Sequence, residues 1–305
     1  MDFPLLEICD DELGEVWAER HFHHGRLSCP GCGVGKRSAG IEGYTKRSHV
    51  VQYRCRKCRR VYTVYHGTVF AHKQLRPAQA VLLLRGICKG ESTASLAREL
   101  ELKYDTVLAL RRAIHTNAQT LQSREPLPDR VTETDELFQN AGEKGEKHED
   151  PADPPRCRAN KQRGHGTYDN DRPPVVGTIG RESGQVRLRV VHHTDGKTLK
   201  RHVARFTTST AKVNTDEWRG YNHLARAHVT VNHGLHEWAR DEDGDGIREV
   251  HTNTAEGMWT GLRNFLRPFR GVHKKHLAGY VALYEHAVNL KKISPALISA
   301  LVQSH

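Results

Sequence analysis

Four of the seven cysteines occur as two closely spaced pairs. The pairs are Cys29-Pro-Gly-Cys32 and Cys55-Arg-Lys-Cys58, with residues 33–54 between them. Each C-x-x-C turn supplies two thiolates from one tight loop, and two such turns complete the tetrahedral ligand set that Zn²⁺ prefers, with no open position for a substrate. The spacing therefore predicts a structural zinc ribbon.

The remaining cysteines, Cys9, Cys88 and Cys157, stand alone in the sequence. An odd total argues against a disulfide framework and for a reducing cytoplasm. We interpret Cys88 and Cys157 as unreactive. Since four cysteines already complete a zinc site, His21, His23 and His24 are expected to face solvent rather than to bind the metal.

Carboxylates in three settings are candidates for a different metal chemistry. Asp135 lies within the strand-like stretch 131–138 and should face opposite to Glu136, because side chains alternate along a strand. Asp216 ends a strand-like segment, and Glu256 lies in the opening turn of a predicted helix. Arg263, seven residues on, shares a helix face with Glu256 and is placed to reach a phosphate. Carboxylates from distant parts of a chain can hold a pair of Mg²⁺ ions, although any single acidic residue is usually a surface residue.

The pattern of apolar residues predicts the elements that position these groups. We interpret residues 1–25 as a leader that contains a small helix, whose apolar face includes Leu13, Val16 and Trp17. We interpret residues 26–72 as the ribbon and 73–123 as a helical domain. A linker follows, and 130–293 alternates strands with helices. Within it we predict strands at 131–138, 174–179, 186–191, 211–215 and 228–232, helices at 197–206, 217–227, 254–267 and 274–291, and an exposed loop insertion at 140–173.

Residues 91–112 have the pattern of a helix-turn-helix. Ser92 or Thr93 is predicted to cap the first helix and Asp105 the second. A recognition helix presents its first residues to the base edges, and a plain helical linker domain remains the alternative. The candidate DNA contacts on this second helix are Lys103, Tyr104, Thr106, Arg111 and Arg112.

The overall charge favours a polyanionic partner. Lys and Arg number 47 against 36 Asp and Glu, a net charge of +11 at pH 7. Phosphate contacts release condensed counterions, so such a surface attracts nucleic acid. A basic run surrounds the second cysteine pair, where a DNA backbone contact and a solvated face are both open: Arg54, Arg56, Lys57, Arg59 and Arg60.

Two protein classes are excluded on composition. The longest aliphatic stretch, 80–84, is far short of the ~20 apolar residues of a membrane-spanning helix. The N-terminus carries acidic residues where a secretory signal carries positive charge. We therefore expect neither a membrane protein nor a secreted one.

With these motifs in place, the chain resembles the insertion-sequence transposases that have an N-terminal zinc ribbon, a helix-turn-helix and an RNase H-like DDE catalytic domain. The resemblance covers roughly residues 25–290. It is carried by CPGC…YRCRKCRRVYTVYHGTVF, SLARELELKYDTVL, TDELF, GHGT…RPPVVG, TDEWRGYNHL and HTNTAEGMWTGLRNFLR…HKKHL, of which the last two are the most specific.

The resemblance implies an α/β fold with an RNase H-like mixed sheet flanked by helices. By position, Asp135, Asp216 and Glu256 match the family's metal-binding triad, and Arg263 matches the basic residue that follows the glutamate. The implied function is binding of terminal inverted repeats, followed by DNA cleavage and strand transfer with two Mg²⁺ (or Mn²⁺) ions. Synapsis of two element ends implies at least a dimer on double-stranded DNA, and the family is cytoplasmic, prokaryotic and nucleoid-associated.

The chain departs from the family pattern in three places. Asn140-Ala141-Gly142 stands where Gly-Gly is common, 141–160 is longer than usual, and Met258 replaces an aromatic residue. The first two leave the role of the loop in end binding open. Two alternatives also remain: a catalytically silent zinc-ribbon DNA-binding protein, and an RNase H-like nuclease that never joins DNA.

The acidic stretch 241–249 imitates the beginning of a calcium-binding loop. Its twelfth position is Thr252, whereas such a loop requires a bidentate glutamate there. We interpret the stretch as a turn.

Overall fold

The computed structural model describes residues 10–143, 151–152 and 164–304. The chain divides into two compact units, residues 1–121 with 290–305, and residues 122–289. The predictions for Cys9 and Cys157, for the beginning of the leader at 1–25 and for much of the loop at 140–173 lie outside the described residues.

The first unit contains the ribbon as a three-stranded antiparallel sheet. Strands β1 (Ala39–Tyr44), β2 (Val51–Cys55) and β3 (Val61–Tyr62) lie in that order. Its small core consists of Leu27, Tyr53 and Tyr62 packed around buried Cys29 and Cys55. With so few apolar residues, this sheet would gain much of its stability from a metal held by the four cysteines.

Helix α1 (Asp11–Phe22) precedes the ribbon, and its buried face differs from the predicted one. Trp17 and Phe22 are buried, whereas Leu13 and Val16 are exposed. His21 stacks on the Trp17 ring at a centroid distance of 4.0 Å and is buried, so its predicted exposure is wrong. The helix uses its aromatic residues, not its aliphatic ones, to pack.

Three helices follow in the region predicted as helical: α2 (Pro77–Lys89), α3 (Thr93–Glu99) and α4 (Tyr104–Thr120). The Ser92 hydroxyl caps α3 by accepting the Ser95 N–H, as predicted. Helix α4 begins at Tyr104 without a side-chain cap, so the predicted capping by Asp105 is wrong. Asp105 lies instead in the first turn, where a negative charge also stabilises the helix.

The second unit is built on a mixed five-stranded sheet of order β6-β5-β4-β7-β8. Its strands are β4 (Val131–Phe138), β5 (Pro174–Gly180), β6 (Val186–Val190), β7 (Lys212–Asp216) and β8 (Ala227–Val231). Strands β4, β5 and β6 are antiparallel, and β4, β7 and β8 are parallel. The expected RNase H-like α/β sheet is confirmed.

Helices cover both faces of this sheet. Helix α5 (Gly196–Phe206) packs on one face. A short hairpin of β9 (Ala239–Arg240) and β10 (Val250–His251) leads into α6 (Asn253–Leu266) and α7 (Lys274–Asn289), which pack on the other face. The helix predicted at 217–227 is wrong: only Arg219–Tyr221 forms a single 3₁₀ turn there.

A last helix, α8 (Pro295–Val302), returns to the first unit. The Asn117 side chain of α4 donates hydrogen bonds to the carbonyls of Leu301 and Gln303, and the Ser299 hydroxyl donates to the Phe22 carbonyl. The first unit is therefore built from both ends of the chain. Among the described residues, no helix is both long and apolar enough to cross a membrane.

Candidate active site

The register of two parallel strands brings two of the predicted carboxylates side by side. Glu133 of β4 pairs with Asn214 of β7, and Asp135 and Asp216 each lie two residues further along their strands. Because side chains alternate and neighbouring strands lie about 4.8 Å apart, Asp135 and Asp216 reach the same height on the same face. Asp135, in the middle of β4, thus lies beside Asp216 at the carboxyl end of β7.

Helix α6 covers that face and contacts the first carboxylate directly. The indole Nε1 of Trp259 donates a hydrogen bond of 2.9 Å to Oδ2 of Asp135. Gly177 lies opposite Asp135 in the β4–β5 register. A Cβ atom on Gly177 would lie only 2.6 Å from the Trp259 ring, so the glycine provides the space that the indole occupies.

Burial and neighbouring acidic charges raise the pKa of both aspartates. Burial, followed by the charges of Asp216 and Glu256, raises the pKa of Asp135 to about 6. Burial also raises the pKa of Asp216, although the Trp218 N–H, which donates to Asp216 at 3.1 Å, opposes the shift. Both half-buried aspartates therefore lie close to other acidic side chains, an arrangement that a divalent cation would stabilise.

The third carboxylate lies on the solvent side of α6. The Glu256 side chain is 56% exposed, and its Oε1 lies 4.0 Å from Nε2 of His233. The charge of His233 also lowers the pKa of Asp216, so His233 lies near both acids. The helix buries Met258 and Trp259 while Glu256 and Arg263 are exposed, as the spacing predicted for the pair.

The three carboxylates do not surround a single point. Among the described residues, two groups have ligand atoms that all lie within 4.8 Å of one another: the four cysteines, and Asp241 with Asp243 and Glu249. A site for two cations ~3.5–4 Å apart distributes its carboxylates over a wider space than one ion requires. The second group belongs to the stretch interpreted as a turn, where Asp241 accepts the N–H groups of Gly244 and Gly246.

Glu136 faces the opposite side of the sheet, as alternation predicted. It accepts a hydrogen bond from the hydroxyl of fully buried Tyr221. Burial raises the pKa of Glu136 to about 8, which keeps it protonated at neutral pH. Glu136 thus links β4 to the 3₁₀ turn that follows Asp216.

The four cysteine sulfurs of the ribbon lie close together. Cys29 Sγ lies 3.3 Å from Cys58 Sγ, and Cys32 Sγ lies 3.6 Å from Cys55 Sγ. Hydrogen bonding from the N–H groups of Cys58 and Lys57 helps lower the pKa of the Cys55 thiol to about 6, which favours the thiolate that a metal requires. The cluster fits Zn²⁺, and the neighbouring histidines take no part: His23 Nε2 lies 2.7 Å from the Val64 carbonyl.

The predicted DNA contacts divide into exposed and buried groups. Arg54 pairs with Glu42, which neutralises its charge within the ribbon. Arg111 is 1% exposed and donates to the Thr93 hydroxyl and the Glu91 carbonyl, so it holds α4 to the start of α3 and its predicted contact with DNA is wrong. Thr106 is half-buried. The exposed candidates are Arg56, Lys57, Arg59, Arg60, Lys103, Tyr104 and Arg112.

Three residues around the carboxylates were absent from the sequence-based prediction. Glu133, Trp259 and His233 each contact an element of the site. The alternation that singled out Asp135 also puts Glu133 on its face, so Glu133 was accessible to the same reasoning. Trp259 and His233 have no such pattern, because their places depend on how α6 and the turn after β8 pack.

The chain is similar in sequence to proteins of transposable elements. Residues 145–289 match the family described as the ISXO2-like transposase domain. The chain is also 26% identical over 280 residues to an uncharacterized protein in transposable element ISH50 of Halobacterium salinarum, covering 91% of this chain and 90% of that protein. The resemblance to insertion-sequence DDE transposases is confirmed. The family match contains Asp216 and Glu256 and begins after Asp135.

Two solved structures are distantly similar to the chain. One is the Mos1 transposase paired-end complex with left transposon end, at 11% identity and a TM-score of 0.27, covering 69% of this chain and 73% of that one. The other is the simian T-cell lymphotropic virus intasome in complex with PP2A regulatory subunit B56 gamma, at 13% identity and a TM-score of 0.29, covering 66% of each chain.

Proposed function

We propose that this chain is a DNA transposase that binds the terminal inverted repeats of a mobile element and catalyses strand cleavage and strand transfer. The observation that carries the proposal is the placement of Asp135 and Asp216 on adjacent parallel strands, facing the helix that bears Glu256. The match of residues 145–289 to a transposase domain family supports the assignment. Asp135, Asp216 and Glu256 are the proposed catalytic carboxylates.

The donor set fits hard divalent cations. All three side chains offer carboxylate oxygens, the ligands that Mg²⁺ and Mn²⁺ prefer. When bound, such cations would activate the attacking oxygen and stabilise the leaving one at a phosphodiester. No nucleotide cofactor is required, since the reaction exchanges one phosphodiester for another or for water.

The remaining residues of the site position these groups and the DNA. The Trp259 indole fixes the orientation of the Asp135 carboxylate through its hydrogen bond. Arg263 is exposed on the face of α6 that carries Glu256, and its guanidinium suits a bidentate contact with a phosphate. His233 lies beside Glu256 and adds a further polar side chain to the site.

The first unit is the proposed reader of the element ends. Exposed Lys103, Tyr104 and Arg112 lie on α4, and further exposed cations surround the zinc cluster. Contacts of this kind to phosphates make affinity strongly dependent on salt. Because two ends must be joined to one target, we propose at least a dimer on double-stranded DNA.

The test combines Mg²⁺ or Mn²⁺, a labelled element end and a supercoiled plasmid. The wild-type protein is expected to yield joined products, and Asp135→Asn and Asp216→Asn are expected to abolish cleavage and joining while leaving specific end binding intact. Asp195→Asn is the matched control, because Asp195 caps α5 on the other face of the sheet and Asn caps helices equally well.

Each other outcome contradicts the proposal in a defined way. Hydrolysis without joining would identify a nuclease. Specific binding without either reaction would identify a silent DNA-binding protein. Undiminished joining by both Asn variants would refute the assignment of the carboxylates.

A further inference from the structure

We propose that Glu133 is a positioning residue that fixes α6, and with it Glu256, relative to Asp135 and Asp216. This inference rests on the proposed function, since it assigns Glu133 a role in assembling the same metal site. Glu133 lies two residues before Asp135 on β4 and shares its face. It contacts the helix two residues before Glu256, at Thr254.

The Glu133 carboxylate is completely buried and accepts hydrogen bonds from several elements. It accepts the Thr254 hydroxyl at 2.8 Å and the backbone N–H of Ala255 at 2.9 Å, both in the first turn of α6. The Nε of Arg181 donates to it at 2.7 Å, and Nδ1 of His251 lies 3.2 Å away. One side chain thus joins the central strand to the start of the helix.

Strand β10, which precedes the helix, is held by Arg181 just after the end of β5 and by Asn214 of β7. The Arg181 guanidinium also donates to the carbonyls of Glu249 and His251. Asn214, the partner of Glu133 on β7, donates to the same two carbonyls at 3.3 and 3.2 Å. The entry to α6 is therefore fixed against the strands that carry Asp135 and Asp216.

The contacts demand a carboxylate at this position. A negative charge at a helix N-terminus interacts favourably with the helix dipole, and both of its oxygens accept hydrogen bonds here. A glutamine of the same shape has one acceptor oxygen and one NH₂ group. Oε1 of Glu133 accepts from both Thr254 and Arg181, and Oε2 accepts the Ala255 N–H. The NH₂ group of the variant must therefore face one of these sets of donors, and the variant cannot keep all three contacts.

The experiment compares Glu133→Gln with Glu285→Gln. Glu285 is an equally buried carboxylate in the same unit, paired with Arg189 at 3.0 Å and with the Leu188 N–H at 2.7 Å, on α7 rather than α6. Both substitutions remove a buried charge. A merely structural role predicts the same consequences for both variants.

Two readouts report on position rather than on stability. Mn²⁺ binding is measured by electron paramagnetic resonance, and the Trp259 indole N–H, assigned with Trp259→Phe, is followed in a ¹⁵N spectrum because it donates to Asp135. Glu133→Gln is expected to weaken Mn²⁺ binding about tenfold, as is usual when a residue that positions a metal ligand is replaced. The variant is also expected to shift the Trp259 indole N–H signal in the absence of metal. Glu285→Gln is expected to lower the Tm and change neither readout.

The inference is overturned if Glu133→Gln binds Mn²⁺ as the wild type does, or if both variants lose affinity equally. Should Glu133→Gln not fold, Thr254→Val removes one of its contacts and is expected to give a smaller change of the same sign. Thr260→Val, which removes a hydroxyl that bonds to the Glu256 carbonyl on the same helix, is the control. A wild-type protein that binds no Mn²⁺ near Trp259 refutes the proposed function, and the metal-free indole shift then decides the role of Glu133.

Discussion

The ring of Trp259 occupies the space that a side chain on Gly177 would fill. Gly177 is the strand partner of Asp135, and Trp259 donates its indole N–H to that carboxylate. Because Gly177 has no Cβ atom, the Trp259 indole can approach β5 and hold the Asp135 carboxylate of β4 in place. Sequence positions 135, 177 and 259 form one unit of the site.

Gly177→Ala is expected to displace the indole and disturb Asp135. The added Cβ would lie 2.6 Å from the Trp259 ring and 2.8 Å from Leu188 Cδ2, an overpacking that costs roughly 1–3 kcal/mol. The Tm should fall and strand cleavage should decrease more than stability alone explains. Gly40→Ala, at a site with open space, is the control. Wild-type cleavage by Gly177→Ala would contradict the role of the glycine.

Metal binding is expected to strengthen as the pH rises through about 6. The raised pKa of Asp135 means that the folded protein holds a proton there at a pH where an ordinary aspartate has lost it. Cations must displace that proton, so below pH 6 the concentration of Mn²⁺ that half-saturates the site should rise about tenfold per pH unit. Titrations between pH 5 and pH 8 measure this. An affinity independent of pH would contradict the burial of a titrating Asp135.

Local patterns predicted those parts of the molecule that short-range rules determine. The cysteine spacing, the strand at 131–138 and the hairpin of β5 and β6 follow from turn chemistry and alternation. The helix expected at 217–227 does not form, because Trp218 and Tyr221 pack against the α5 face and the chain turns to follow them. Arg111 was expected to contact DNA and is buried instead, because its partners Thr93 and Glu91 come from another helix and the loop before it. Such long-range contacts leave no periodicity in the sequence.

Glu136→Gln is expected to stabilise the protein above neutral pH. Burial raises the pKa of Glu136 to about 8, so the folded state retains a proton that the unfolded state loses above about pH 4.5. Stability from this group is complete at low pH and is lost as the pH rises from about 4.5 to 8. Gln keeps the contact with Tyr221 and does not titrate, so the variant should gain at least about 1 kcal/mol relative to wild type at pH 8. Chemical denaturation at pH 5 and pH 8 measures the free energy of unfolding of both proteins. The same difference between variant and wild type at the two pH values would contradict the prediction.

Neighbouring arginines on α4 are expected to respond differently to substitution. Arg112 is exposed, so Arg112→Ala should weaken binding of the terminal repeat several-fold and reduce the salt slope by about one, without changing the Tm. Arg111→Ala should instead lower the Tm, because it removes the contacts that join α4 to Thr93 and Glu91. Fluorescence anisotropy at several salt concentrations and a thermal melt distinguish the two. An unchanged salt slope for Arg112→Ala would remove α4 from the DNA-binding surface.

Removal of the ribbon metal is expected to abolish end binding. The ribbon core is small, so a metal bound by the four thiolates would supply much of its stability. Wild-type protein should contain about one zinc per chain, and Cys55→Ser should lose it together with specific binding. Cys88→Ser is the matched control, since Cys88 is buried away from the cluster and burial raises its pKa to about 12. Zinc content is measured by atomic emission. A full zinc content in Cys55→Ser would show that the cluster does not require the Cys55 sulfur.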